Sequence, residues 1–489
     1  MGVLKPIKVK ADVREEDGGE PLSPMARLFH QPNSNIFIII MIGFKTKINS
    51  QVIKANILHT LPSHPRFSSL QVVDETVEGG MKWVPTNVDL DNHVIVPNLE
   101  PNDNIDSPDK IVEDYVSNLS KSTIEMSIPL WDLHLLNIKT SYAESMAVYR
   151  IHHSLGDGTA LMSLLLASSR KLSDPQALPT LPIMKKKANS SGRFLGNYFI
   201  KFWLVLVLYW NTFVDVLKLL ATVSMFLKDT ETPLKTEFGS TGTTPRRFVH
   251  RMVSLDDVKL VKNAMNNVTI NDVMVGVTQA GLSRYLNRKY GESKIDKGSS
   301  EKYNNLPQNI RFRACSAVNL RPSAGIQELA DMMSKGTVAR WGNQFGYTLC
   351  PFTIALRDDP LEYVRQAKAA MDRKKASLEA YFTYFLTKFI IKFCGVKNVS
   401  LPSQMTMQFS NVPGPQEEIS YYRHPVAYVA PSCYGQPCGL LIHIVSYVNK
   451  ISFVLASDES IILDPHQLCD DLVESLNLIK NAVIEKRLA

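Results

Sequence analysis

Apolar and amphipathic stretches alternate along the first third of the chain. The apolar run at 36–42 has the length of a buried strand, and Ser107 with Pro108 provides the residues that cap and begin a helix. The pattern predicts a strand at 36–42, helices at 50–59 and 108–120, and a strand region from 129 to 151. This alternation predicts an α/β or α+β core.

The second half of the chain repeats the mixed pattern with clearer helix starts. Ser254 and Thr269 each precede an amphipathic run as helix caps. The predicted elements are helices after Ser254 and after Thr269, helices at 361–375 and 377–393, a hairpin of 439–448 with 451–456, and a final helix at 465–486. The chain contains no internal repeat.

Polar segments divide these patterns and suggest the domain boundaries. The segments 183–193 and 228–246 have the composition of linkers, and 291–308 that of a loop. We predict a mobile lead at 1–20, an N-terminal half at 21–182, a connecting segment at 183–250 and a C-terminal half at 251–489.

The connecting segment contains a long apolar helix pattern at 202–227, long enough to span a bilayer. Its polar residues form one stripe at helical spacing, namely Asn211, Asp215, Lys218 and Thr222. The pattern fits a helix in the membrane interface or a spanning helix whose stripe faces protein. A buried core helix is the alternative. The aromatic helix at 378–393 could form a second membrane-facing or tunnel-lid surface, although core packing is our preferred interpretation.

Composition and charge narrow the classes further. The 489 residues are 45% apolar and 21% charged, which excludes a disordered chain, and a mean hydropathy of −0.07 excludes a polytopic membrane protein. The net charge is +7, and 183–250 holds ten basic and four acidic residues, or +6 of it. Because the rest of the chain is nearly neutral, the charge favours a membrane surface over nucleic acid.

Cysteines and the N-terminus give mainly exclusions. The six cysteines are irregularly spaced and include no C-x-x-C pair, so we expect neither a disulfide framework nor a zinc site. The same pattern favours a reducing location for the protein. The first twenty residues have no apolar core of a secretory signal, and Pro6 stands where a myristoylation motif needs Ser or Thr.

The most specific chemical signal is the segment Ile151–Gly158, with the sequence IHHSLGDG, between a predicted strand and a helix at 159–172. Adjacent strand residues point to opposite faces, so only one of His152 and His153 can serve a site. Asp157 could orient that ring, while Gly156 and Gly158 would allow a tight turn. A histidine held in this way is a good general base for a hydroxyl. A metal site lacks further ligands nearby, and two packed core histidines remain an alternative.

The chain lacks a G-x-S-x-G motif, and Cys394 and Cys469 have no recognisable partner motif. A covalent nucleophile is therefore disfavoured. A general base without a nucleophile suits direct attack of an alcohol or amine on an activated acyl group, with a hydrogen-bond donor for the oxyanion.

The segment HHSLGDG matches the HHxxxDG signature of acyl-CoA-dependent acyltransferases. Five further segments resemble the wax ester synthase/diacylglycerol acyltransferase family, especially its plant members: PLSPM at 21–25, PLWD at 129–132, NDV at 271–273, GNQ at 342–344 and SNVPGP at 410–415. The DFGWG segment of the soluble plant acyltransferases is absent from the sequence.

The resemblance implies two chloramphenicol-acetyltransferase-like halves that meet at a tunnel with the histidine at its middle. It implies acyl-CoA as donor, a long-chain alcohol or diacylglycerol as acceptor, and no metal or other cofactor. His153 would be the proton acceptor, with Asp157 structural and His152, Gly156 and Gly158 in support. Asn271 would polarise the thioester carbonyl or merely begin a helix, and 410–415 would form a shaped turn.

We therefore predict a membrane-associated acyltransferase, at the endoplasmic reticulum with its site facing the cytosol and also at the plasma membrane. A soluble acceptor is the first alternative, and a non-catalytic lipid-binding protein on the same fold is the second. The sequence gives no indication of oligomeric state.

Overall fold

The computed structural model describes residues 19–77, 79–99, 107–180, 194–235, 244–292, 303–321, 341–399 and 405–488. Most of the predicted lead, the linker 183–193 and the central parts of 228–246 and 291–308 lie outside the described residues.

Ten α-helices and sixteen β-strands make up the described part of the chain. The helices are α1 Pro24–Leu28, α2 Ser50–Ile57, α3 Pro108–Leu119, α4 Gly158–Ala167, α5 Phe194–Val223, α6 Leu255–Ala264, α7 Ile270–Glu292, α8 Leu361–Lys375, α9 Glu379–Cys394 and α10 Pro465–Leu488. The strands are β1 Glu20–Pro21, β2 Phe37–Phe44, β3 Ser69–Asp74, β4 Gly80–Pro85, β5 Val94–Ile95, β6 Trp131–Leu136, β7 Ser145–His152, β8 Ser169–Lys171, β9 Arg246–Ser254, β10 Phe312–Asn319, β11 Phe345–Phe352, β12 Met407–Val412, β13 Ile419–Tyr421, β14 His424–Tyr434, β15 Leu440–Tyr447 and β16 Lys450–Asp458.

Two large sheets form the body of the protein. One has seven strands in the order β5-β6-β7-β2-β14-β13-β8, and the other has six in the order β11-β10-β12-β15-β16-β9, while β1, β4 and β3 form a small third sheet. Strands β13 and β14 come from the second half of the sequence but complete the sheet of the first half. No single position in the sequence therefore separates the strands of one sheet from those of the other.

The alternation of strand residues explains how the sheets pack. On β15, Leu441 and Val445 face the core shared with the seven-stranded sheet, whereas Leu440, Ile442 and Ile444 face the helices of the second half. Helices α6, α7, α8 and α10 cover that outer face. The interior strands β15 and β16 are thus buried on both faces, which accounts for their long apolar runs.

Most of the predicted elements are confirmed, and several bounds differ. Ser107 caps α3 through a 3.3 Å bond from the Lys110 amide, as expected from its sequence position. The helix predicted at 159–172 ends at Ala167, because residues 169–171 pair with β13 as a strand. Helix α5 begins at Phe194 and ends at Val223, earlier at both ends than the predicted 202–227.

The two aromatic-rich helices lie on the surface. In the described residues, α5 contains the one segment long and apolar enough to cross a membrane, Tyr198–Val223. Asp215 and Thr222 of its polar stripe are fully buried while Lys218 is exposed, and most apolar side chains face outward, so the alternative of a buried core helix is wrong. Helix α9 exposes four aromatic side chains, so core packing does not describe that face: Tyr381, Phe385, Phe389 and Phe393.

The chain after α5 is anchored by a buried charge pair at Asp229, a residue that the sequence placed in a polar linker. Both carboxylate oxygens of Asp229 are used, by Arg313 Nε at 2.5 Å, the Arg313 amide at 2.9 Å, and Thr406 Oγ1 at 2.8 Å. The pair joins the end of α5 to β10 and to the segment that precedes β12.

We expect Asp229→Ala to lower the free energy of unfolding by about 3–5 kcal/mol, because it leaves the buried guanidinium of Arg313 without its counter-ion. The matched control is Asp91→Ala, whose carboxylate is 83% exposed and pairs with Lys54 on the surface. Its cost should stay below about 1 kcal/mol. Denaturant unfolding of the three proteins measures the difference, and equal costs would contradict the structural role.

Candidate active site

The histidine motif lies where β7 ends, in the middle of the seven-stranded sheet. Strand β7 pairs with β2 so that His152 stands opposite Phe37, and the His153 amide donates to the Ile36 carbonyl at 2.9 Å. A short 3-10 turn at His153–Leu155 then leads to α4. Backbone hydrogen bonds to the neighbouring segments therefore fix the position of both histidines.

His152 is a buried, fully bonded residue. Its Nε2 faces two oxygen acceptors, the Phe29 carbonyl at 3.1 Å and Asn35 Oδ1 at 3.0 Å, and so carries the proton. Its Nδ1 lies 2.6 Å from the Ser154 hydroxyl. Burial lowers the pKa of His152 well below its ordinary value, with a further contribution from His30. His152 is therefore a neutral structural residue, in the supporting position that the family resemblance implies.

His153 points away from His152 and is partly exposed. Its Nδ1 lies 3.2 Å from Asn343 Oδ1, while Asn343 Nδ2 donates to the His153 carbonyl at 3.0 Å. Because Nδ2 is engaged with the carbonyl, the amide presents its oxygen to the ring, and Nδ1 must donate to it. The ring also stacks on Phe29 with centroids 4.2 Å apart. The second nitrogen, Nε2, has no hydrogen-bond partner among the described residues.

The environment keeps His153 neutral. Burial lowers the pKa of His153 below its ordinary value, although the charge of Asp157 and the hydrogen bond to Asn343 act in the opposite direction. A neutral ring that donates from Nδ1 carries its lone pair on Nε2. This is the protonation state that a general base requires.

Asp157 does not touch either histidine ring but holds the loops around them. Its Oδ1 accepts the Ala160 amide at 3.0 Å and so caps α4, as the N-cap position predicts. Its Oδ2 accepts Arg321 Nη1 at 2.7 Å and the Gln344 amide at 2.9 Å. Asp157 is thus a positioning residue that ties the histidine loop to the segment 341–344 of the second half.

Segment 341–344 closes over the motif through further bonds. Trp341 Nε1 donates to the Leu155 carbonyl, and Arg321 Nη2 donates to the Gly342 carbonyl. The indole of Trp341 also packs on His64, with ring centroids 4.1 Å apart. The loop is therefore a fixed cover built from the C-terminal half, and it carries the amide that orients His153.

The two glycines of the motif have different environments. Gly156 has an extended backbone that any residue can adopt, and a Cβ there would lie 3.2 Å from both Ala160 and the Trp341 ring. A Cβ at Gly158 would meet nothing within 4 Å. Neither glycine has a left-handed φ, so the expectation that both permit a tight turn is not supported: a Cβ at Gly156 would crowd Ala160 and Trp341, and nothing in the described structure demands glycine at 158.

A third histidine approaches the site from the opposite sheet. His443 lies on β15 between the inward-facing Leu441 and Val445, with Nδ1 3.3 Å from Ser432 Oγ. Burial lowers the pKa of His443 to about 4, and the proximity of His153 acts in the same direction. Its position in the predicted hairpin, as a lone polar residue on the inward face of an apolar strand, is the sequence signal that would have found it.

Asn271 lies away from the histidine motif. It is in the first turn of α7, where Thr269 and Asp272 cap the helix reciprocally, and its Oδ1 accepts a 3.1 Å bond from Asn411 Nδ2. It lines a cavity of about 330 Å³ together with Asn411 and Tyr381, and His153 is not part of the lining. The structure therefore places Asn271 beside the segment 410–415 and shows no contact with His153.

The sequence located His152, His153 and Asp157 and did not predict their partners. Asn343 lies within the GNQ segment, and Phe29 directly follows α1 a few residues after PLSPM, yet neither had an assigned function. Arg321 carried no motif at all. These partners reach the motif through contacts between the two halves of the molecule, and no local sequence pattern predicts such contacts.

Two sheets meet at this neutral histidine, an arrangement consistent with the two-half acyltransferase fold that the sequence predicts. Two family models match the chain: the wax ester synthase/diacylglycerol acyltransferase catalytic domain over residues 45–274 and the WS/DGAT C-terminal domain over 341–480. The chain belongs to the wax ester synthase/diacylglycerol acyltransferase family, and the family and fold expected from the sequence are confirmed.

Several known proteins resemble the whole chain. Wax ester synthase/diacylglycerol acyltransferase 11 of Arabidopsis thaliana is 49% identical over 98% of both chains, and number 4 of the same series is 48% identical over 98% of this chain and 92% of its own. Among solved structures, the Marinobacter aquaeolei VT8 enzyme of the family superposes with a TM-score of 0.57 at 16% identity, covering 94% of this chain and 99% of that one. The trichothecene 15-O-acetyltransferase of Fusarium sporotrichioides gives 0.53 at 12% identity, covering 98% and 99%.

We expect Asp157→Ala to destabilise the protein by about 3–5 kcal/mol, because the buried Arg321 loses its counter-ion and α4 loses its cap. The loop at 341–344 should loosen as well, so the Gln344 amide should exchange faster with solvent. Thermal unfolding and hydrogen exchange measure the two effects.

The control for that substitution is a double-mutant cycle, which compares Asp157→Ala, Arg321→Ala and the double variant. The double variant should lose less stability than the sum of the single variants, because each single variant already breaks the pair. Strictly additive losses would contradict a direct ion pair.

Proposed function

We propose that this protein transfers a fatty acyl group from acyl-CoA to the hydroxyl of a long-chain alcohol, with diacylglycerol as a second acceptor. The observation that supports it most directly is the orientation of His153, whose Nδ1 donates to Asn343 and whose Nε2 is left to accept a proton. Family membership supplies the reaction class, and the site supplies the base.

In the proposed reaction, Nε2 of His153 removes the proton of the acceptor hydroxyl while its oxygen attacks the thioester carbonyl. The tetrahedral intermediate then expels the CoA thiolate, which takes the proton back from the imidazolium to leave as free CoA. The bond formed is the ester C–O bond, and the bond broken is the thioester C–S bond. Since the thioester is already activated, we propose that the reaction needs no metal or further cofactor.

Asn343 and Asp157 assist by positioning. The Asn343 oxygen would stabilise the imidazolium that forms during proton transfer, and it fixes the tautomer beforehand. Asp157 keeps the loop in register through Arg321. For Asn271, polarisation of the thioester carbonyl stays a proposal, supported by its place in a cavity with Asn411.

A lipid acceptor is favoured over a soluble one by the exposed apolar surface. The outward side chains of α5 and α9 include Phe199, Trp210 and Phe385, each more than half exposed. Such a surface fits a protein that meets its acceptor in a membrane. We propose a location at the endoplasmic reticulum membrane with the site facing the cytosol, consistent with the basic composition of 183–250.

We expect His153→Ala to reduce ester formation by about 10²–10⁴-fold without lowering the melting temperature, because the substitution removes the proton acceptor from a partly exposed position. The assay supplies a long-chain acyl-CoA with hexadecanol and diacylglycerol together and separates wax ester from triacylglycerol by thin-layer chromatography. The exposed His59, changed to Ala, is the control and should leave both products unchanged. Near-wild-type synthesis by His153→Ala would refute the proposal, and CoA release with only a soluble alcohol would favour the soluble-acceptor alternative.

The pH profile tests the function of Asn343. Since burial lowers the pKa of His153, the wild-type rate should stay high down to a pH below 6.5 and fall as the ring gains a proton. Asn343→Asp places a carboxylate at Nδ1, which favours the charged ring, raises the pKa of His153 by about 1–3 units and moves the acid limb of the rate to higher pH.

Asn343→Ala is the matched control for that shift. It removes the acceptor without adding charge, so the rate should fall at every pH while the acid limb does not move upward. An unchanged acid limb in Asn343→Asp would show that Asn343 supports the fold without acting on the ring.

A further inference from the structure

Helix α5 is bonded to the protein along the second half of its length. Asn211 Nδ2 donates to the Ala376 carbonyl at 3.1 Å, and the Leu378 amide donates to Thr212 Oγ1 at 2.9 Å. One helical turn further, Asp215 accepts from Arg373 and Lys374 at 2.7 and 3.1 Å.

The last turn of α5 continues the attachment. Thr222 Oγ1 accepts Arg313 Nη1 at 2.6 Å, and Leu219 packs with Cys315, Leu349 and Met405. From Asn211 to Thr222 the helix therefore lies against a surface of charged and polar groups that belongs to the catalytic body. If α5 crossed a bilayer, this surface would enter the hydrocarbon with it, at a cost of several kcal/mol for each group that lipid contacts.

The described parts of the chain on either side of α5 belong to the same body. Before it, the Lys171 amide donates to the Ala177 carbonyl and Lys171 Nζ pairs with Glu417 at 2.9 Å. After it, the Leu227 carbonyl accepts Arg313 Nη2 at 2.9 Å. A single crossing would place its two ends on opposite sides, and the chain would have to return through 181–193.

The sequence of 181–193 is unsuited to a return crossing. It contains Lys185, Lys186, Lys187 and Arg193 and is shorter than the roughly 20 apolar residues that a spanning helix needs. The length and hydropathy of α5 alone would permit a crossing, but the connections of the chain argue against it.

Helix α9 extends the apolar surface beside α5, which it contacts. Tyr381, Phe385, Phe389 and Phe393 are spaced by four residues and are 49–65% exposed. Exposed lysines border the two helices at Lys201, Lys392 and Lys397. An aromatic face bordered by lysines matches an anionic lipid surface in both polarity and charge.

We propose that α5 and α9 together form a monotopic face that inserts into one leaflet, with the axis of α5 in the membrane plane and the whole chain on one side. This inference rests on the membrane association proposed above and specifies its geometry. The occupant of the face is a lipid monolayer, and its position beside the cavity lined by Tyr381 and Asn271 brings that cavity to the lipid boundary.

Cysteine labelling at both ends of α5 tests the geometry in the full-length protein on sealed microsomes. In a Cys394→Ser background, which removes the one exposed thiol among the described residues, Ser190→Cys and Lys228→Cys are treated with a membrane-impermeant maleimide. We expect the two cysteines to be either both labelled or both protected before detergent is added. Labelling of one position before detergent and of the other only after it would overturn the proposal.

Vesicle binding tests the contribution of α9. Phe385→Asp with Phe389→Asp should weaken binding to phosphatidylcholine–phosphatidylserine vesicles by about tenfold or more, because charges replace two exposed rings that the proposal places in lipid. Leu463→Asp, at a residue 83% exposed outside both helices, is the control and should bind as the wild type does. The proposal would be overturned if the double variant bound vesicles as well as the wild type does. It would also be overturned if the double variant changed a soluble oligomer into a monomer and left vesicle binding unchanged. Ester synthesis is scored separately, so failure of the geometry and failure of the function are distinguishable.

Discussion

The hydrogen bond from His153 Nδ1 to Asn343 is the interaction on which the site depends, and it joins two halves of the molecule. His153 directly follows a strand of one sheet, while Asn343 precedes a strand of the other. The ring therefore has a defined tautomer only when the halves are docked. The Asp157–Arg321 pair beside it holds the docked loops in register, so orientation of the His153 ring depends on assembly of the two halves.

Buried charges perform the same kind of task elsewhere in the protein. Asp229 binds Arg313, and Asp215 binds Lys374, each between segments far apart in the sequence. Apolar packing supplies most of the driving force for folding but is not directional. A charge pair has one geometry, and removing either partner is costly, so these pairs select one arrangement of the helices and sheets. The surface helix α5 is placed by this means, since its apolar side chains alone would accept many positions.

The accuracy of sequence-based prediction followed the range of the interactions. Ser107 as a cap, the apolar run that became β2 and the hairpin of β15 with β16 depend on neighbours a few residues away, and these were predicted. The polar stripe of α5 was visible as a pattern, but its partners Arg373 and Arg313 were not. Asn343 was noticed only as part of a family segment, because its contact with His153 spans 190 residues of sequence. For α9 the sequence offered an exposed face and core packing as alternatives and core packing was preferred, because an aromatic helix in a core and one at a lipid surface have the same composition.

Strand β14 carries a consequence for biosynthesis. Because β14 lies beside β2, the central strands of the first sheet stay unpaired on one side until residue 434 has left the ribosome. In that interval β2 presents an apolar edge, which is the kind of surface that recruits other strands. That edge of β2 is covered only when the second half of the chain is complete. A fragment ending before β14 would keep Asn343, which orients the ring of His153, but would lack the strand that covers the edge of β2.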